Sequence, residues 1–92
     1  MHRTKPRPLP AGAVAVSDDY GALKVGDELF GLGDTLLVFS TLSQETLQGV
    51  LVVLTDKEAV LRAATGQRFS FQLPLLQAGR VAVSRAAPKN QQ

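Results

Sequence analysis

Turn-forming residues recur every few positions along this chain, and the stretches between them are too short for anything but strands or single helical turns. Ala13-Val14-Ala15-Val16-Ser17 reads as a first strand, closed by Asp18-Asp19-Tyr20-Gly21. Leu23-Lys24-Val25 and Glu28-Leu29-Phe30 follow, separated by Gly26-Asp27. Gly31-Leu32-Gly33-Asp34 is another turn or bulge, because glycine relieves the steric cost of positive φ. Thr35 to Thr41 is rich in strand formers, and Ser43-Gln44-Glu45 links it to a second strong strand, Thr46 to Leu54. Gly49 stands where a strand of a small barrel bends.

Two readings fit Thr55 to Gly66. Thr55-Asp56-Lys57-Glu58 has the form of a helix capping box, and Gly66 suits the residue past a helix end, so a short helix Asp56 to Ala64 is one reading. In the other, Ala59 to Ala64 is one arm of a hairpin, Thr65-Gly66 its turn and Gln67 to Leu73 the return. The return arm alternates, with Phe69, Phe71 and Leu73 on one face and Arg68, Ser70 and Gln72 on the other, which favours the hairpin. Pro74 stops that strand, Leu75 to Gly79 fits a single helical turn, and Arg80 to Arg85 alternates as a closing strand. The expected class is therefore all-β: five to seven short strands, at most one short helix, in a small strongly bent barrel, with a two-sheet sandwich as the alternative.

The 92 residues suffice for one domain. It is expected at 11–85, between a flexible, basic, proline-rich arm at 1–10 (Pro6, Pro8, Pro10) and a flexible tail at 86–92. The chain has no cysteine, so disulfides and thiolate metal sites are excluded. No apolar run approaches the roughly 20 residues that span a bilayer, and the basic N-terminus is followed by no apolar signal region. These features point to the cytoplasm and away from a membrane.

From Asp34 to Ser84 the order of features resembles the Sm-like barrels. Leu36-Leu37-Val38-Phe39, a polar link and Thr46-Leu47-Gln48-Gly49-Val50-Leu51 resemble the Sm strand pair, in which a glycine two residues before a leucine permits a sharp bend. Leu54-Thr55-Asp56 resembles the end of that strand, displaced by one residue. Phe71 to Leu75 and Gln77 to Val81 are similar to the strands around the second Sm motif. The resemblance implies an SH3/Sm-like barrel that assembles into rings and binds RNA. Glu58-Ala59-Val60 stands where the family carries its RNA-reading asparagine, and Ala78 where it carries a basic residue.

Nothing in the chain assembles into a catalytic constellation. The single histidine, His2, lies in the arm, where no partner orients it as a base. Asp18, Asp19, Asp27, Glu28 and Asp34 match no calcium loop and read as turn caps. The glycines fit no phosphate loop. Phe69 and Phe71 read as core residues before base-stacking ones. No cofactor or metal is expected, and the chain is not expected to be an enzyme.

Charge is more informative. All eight carboxylates lie between residues 18 and 58, so the middle repels polyanions. Arg3, Lys5 and Arg7 precede them and Arg68, Arg80, Arg85 and Lys89 follow. These seven are the candidate contacts to RNA or DNA. The expected function is a binding module that self-associates through an open strand edge, with Val50, Val52, Val81 and Val83 as the edge residues. The alternatives are an adaptor or inhibitor, of phage or plasmid type, whose acidic middle docks on a basic protein, and a structural subunit of an assembly.

Overall fold

The computed structural model describes residues 9–86 and contains eight strands, all paired antiparallel. That is one more than the upper count expected, because even the three- and four-residue segments near the N-terminus find partners. Strands β1 (Val14–Val16), β2 (Ala22–Val25) and β3 (Glu28–Gly31) form a three-stranded meander in that order. Strands β4 (Thr35–Ser40), β5 (Glu45–Leu54), β6 (Glu58–Arg62), β7 (Arg68–Gln72) and β8 (Val81–Arg85) form a second sheet, with the helix α1 (Leu73–Gln77) before its last strand. The order across this sheet is β7-β6-β5-β4-β8. The strands thus lie in two separate sheets and no closed barrel forms. The first three strands pair among themselves, which leaves the larger sheet with two unjoined ends.

Turn chemistry explains where the strands stop. Ser17 Oγ accepts the N–H groups of Gly21 and Ala22 at 3.1 and 3.0 Å and donates to Asp19 Oδ1 at 2.7 Å. This network reverses the chain between β1 and β2 and holds Tyr20 at φ 57. Thr55 Oγ accepts the N–H groups of Lys57 and Glu58 at 3.1 and 3.0 Å. These are the bonds of a helix cap, yet here they close a turn, and the chain continues as β6. The favoured hairpin is therefore the one formed, with β6 paired to β7 from Arg62↔Arg68 to Glu58↔Gln72. The helix starts two residues before its expected place, because Pro74 occupies its first turn, where the missing N–H has no intrahelical role. It is far too short to cross a membrane.

One core serves both sheets. Leu23 and Phe30 of the meander are fully buried against the inner face of the larger sheet, where Leu36, Leu51, Ala59 and Leu61 are equally covered. Leu73 and Leu76 of α1 close one side. Phe71 is buried and Phe69 packs against the core, so the aromatic alternation of β7 serves packing. Each fully buried leucine or phenylalanine contributes about 1.5–3 kcal/mol. No polar or charged residue is buried among those described.

Candidate functional site

Among the described residues no strand pairs with the outer side of β7 or of β8, so the larger sheet presents two open edges. Along β8, Thr41 N–H donates to Arg80 O and Ala86 N–H to Thr35 O, both at 3.0 Å. Antiparallel alternation then turns the backbone groups of Ala82 and Ser84 toward β4 and those of Val81, Val83 and Arg85 outward. On β7, Ala63 N–H donates to Gln67 O at 2.8 Å and Leu73 N–H to Lys57 O at 2.9 Å. Phe69 and Phe71 therefore bond to β6, and Arg68, Ser70 and Gln72 turn their backbone groups outward. Two of the four expected edge residues, Val81 and Val83, lie on such an edge. Val50 and Val52 do not: β5 is the middle strand, Val50 pairs with Thr35 on one side and Arg62 on the other, and Val52 sits in a bulge between Leu51 and Val53. The second edge is β7 instead.

Of the cations expected to contact nucleic acid, the three described ones, Arg68, Arg80 and Arg85, are not gathered. Arg3, Lys5, Arg7 and Lys89 lie outside the described residues. Arg80 is exposed in the connection to β8. Arg85 is committed to the fold: its Nη1 lies 3.0 Å from Asp34 Oδ2, its Nη2 donates to Leu29 O at 2.6 Å, and its guanidinium stands 5.2 Å from the Phe30 ring centroid. It ties β8 to the meander. Arg68 lies at the opposite side of the sheet, directly across from Arg62, and both are exposed. Sequence reasoning missed Arg62 as a partner. The only ion pair among the described residues is Arg85–Asp34, so neither Arg62 nor Arg68 faces a carboxylate within salt-bridge distance.

Two of the five turn carboxylates, Asp19 and Asp34, act as caps. Asp19 accepts the Ser17 hydroxyl and the Gly21 N–H, and these bonds lower its pKa. Asp34 accepts the Gly31 N–H at 2.8 Å and faces Arg85, which together lower its pKa, the Gly31 bond most. Among the described residues no three His, Cys, Asp or Glu side chains are placed to hold a metal ion.

Two of the hollows among the described residues are notable for their lining. One, of about 390 Å³, runs beside β1 and α1 between Val14, Val16, Leu73 and Gln77, with Asp18 and Asp56 among its lining residues. The other, of about 520 Å³, lies beside the β5 bulge, between Thr35, Gln48, Val50, Arg62, Ala63 and Ala64. Compared with known proteins, the chain matches no family model, no curated protein and no solved structure.

Proposed function

We propose that this protein is a non-enzymatic β module that self-associates by joining β7 of one copy to β8 of the next. The observation that carries this reading is the pair of open edges, each with three alternating residues whose backbone groups point away from their own sheet. Unpaired N–H and C=O groups in a row are a template for another strand. Because the two edges differ, the contact is head-to-tail and generates a ring where the rotation closes. A five-stranded sheet of this order, with a short helix before its last strand, also fits the Sm-like resemblance, in which an open barrel completes its sheet through its neighbours.

Ser70→Pro tests this. Ser70 is exposed and its N–H faces the outer edge, so proline there removes an edge donor without breaking a bond to β6. Light scattering at micromolar concentration should give a multiple of the chain mass for the wild type and the single mass for the variant, with the same circular dichroism. A wild type that stays monomeric refutes the reading.

The hollow beside β1 favours a second one, an adaptor for a basic protein. Val14 and Val16 turn their backbone groups away from β2, since Gly26 N–H bonds Ala13 O and Ser17 N–H bonds Ala22 O. Asp18 and Asp56 complement an extended basic segment laid along that edge. Binding of a lysine-rich peptide that is lost in Asp18→Lys and retained in Ser70→Pro would support the adaptor.

A further inference from the structure

We propose that Arg62 and Arg68 form a phosphate clamp that holds a nucleotide, its ring lying in the hollow beside Val50. The two arginines face each other across β6 and β7. The bonds at Ala63–Gln67 and Leu73–Lys57 make theirs a non-hydrogen-bonded position, the one at which facing side chains stand closest. Like charges directly opposite each other destabilise a sheet. No carboxylate among the described residues is paired with either guanidinium. A bound anion removes this repulsion, and the planar forks of two guanidiniums match the oxygens of a phosphate.

The neighbouring hollow supplies the rest of the recognition. Arg62 is part of its wall, so an anion on the clamp sits at its mouth. Its volume of about 520 Å³ falls within the range of small-ligand pockets. Val50, Val52, Ala63 and Ala64 give it an apolar surface for a flat ring, while Thr35 and Gln48 bring a hydroxyl and a carboxamide for ring edges. A phosphate joined to a heterocycle meets both halves. The same chemistry is offered by a free nucleotide and by an unpaired nucleotide in a single strand; the stacked interior of a duplex does not expose it. The clamp belongs to one copy and does not depend on self-association.

The test is fluorescence anisotropy with a labelled oligothymidylate, thymidine monophosphate as competitor, an abasic strand of equal length, and a salt series. The full chain should bind the oligothymidylate more tightly than the abasic strand. Arg62→Gln/Arg68→Gln should weaken binding about tenfold or more and flatten the salt dependence, by about 0.7 in slope for each phosphate no longer neutralised. Lys24→Gln, exposed on β2 of the other sheet, should bind as the wild type does. Competition by the monophosphate assigns the site to free nucleotides; binding of the strand alone assigns it to single-stranded nucleic acid. Undiminished binding by the double variant, equal loss in Lys24→Gln, or equal affinity for the abasic strand would overturn the proposal. Thermal melting guards against misfolding: the double variant, relieved of repulsion, should melt no lower than the wild type.

Discussion

Gly49→Ala tests the glycine with the closest neighbours among those described. A Cβ added at Gly49 would stand 3.0 Å from Phe69 Cε1, 3.1 Å from Phe69 Cζ and 3.1 Å from Arg62 O. Carbon atoms prefer separations of about 3.5–4.0 Å. Neither neighbour yields easily: Arg62 O belongs to a strand paired on both sides, and Phe69 leans on the core. Inserting a methyl group into a site of this kind costs about 1–3 kcal/mol. Against this, Gly49 is not among the glycines at positive φ, so alanine accepts its backbone and gains about 0.4–1 kcal/mol from a less disordered unfolded chain. The expected net loss is about 1–2 kcal/mol, or a fall in Tm of roughly 5–15 °C for a domain of this size. Thermal unfolding followed by circular dichroism measures it. Phe69→Leu, which removes the ring, should partly rescue Gly49→Ala, so the double variant should lose about 1 kcal/mol less than the two single losses combined. An unchanged or higher Tm for Gly49→Ala, or strictly additive losses, would show that the glycine is there for some reason other than its closeness to Phe69.

Two further outcomes follow from the turns. The folded pKa of Asp34 lies below its unfolded value, so its contribution is complete above about pH 4 and is lost as the pH falls through the folded value. Urea midpoints between pH 6 and pH 2 should therefore drop more steeply for the wild type than for Asp34→Asn; parallel curves would remove Asp34 from the acid response. Thr55→Val strips the acceptor from the Lys57 and Glu58 N–H groups and should cost about 1 kcal/mol, seen as a lower urea midpoint at unchanged slope.

Most strands were legible because alternation and turn residues are local signals. Ser17, Asp19 and Gly21 carry their own turn, and Phe69, Phe71 and Leu73 announce their buried face whatever they pack on. The capping pattern at Thr55 was ambiguous for a physical reason: an oxygen that accepts from the third following N–H starts a helix or a tight turn equally well, and the β-branched and apolar residues after Glu58 decide. Register was less accessible. A two-residue turn at Thr65-Gly66 would set Arg62 opposite Phe69, whereas the pairing formed leaves Ala64, Thr65 and Gly66 between the bonded Ala63 and Gln67 and sets Arg62 opposite Arg68. Gly66, at φ 92, permits that extra residue. One residue of loop length thus hides the clamp from sequence reasoning. Closure was not legible either, since the separation of β1 to β3 into their own sheet depends on which distant strands pair.

The two sheets also divide the labour of the fold in a way that single substitutions can expose. The meander lays Leu23 and Phe30 on the inner face of the larger sheet, and Arg85 fastens it there through Leu29 O and Asp34. Both main open features, the β7 and β8 edges and the outer face of the β6–β7 hairpin, belong to the larger sheet. Substitutions of Leu23 or Phe30 therefore act on stability, because they uncover a shared core. Substitutions whose side chains leave that core untouched, such as those at Ser70, Arg62 and Arg68, act on what the surface can join. Arg85 lies on both sides of this division: its backbone faces the β8 edge while its side chain closes the clasp. In the assembly proposed above, joining at that edge and attachment of the meander are coupled through one residue, and a second strand added at β8 would hold the clasp in place.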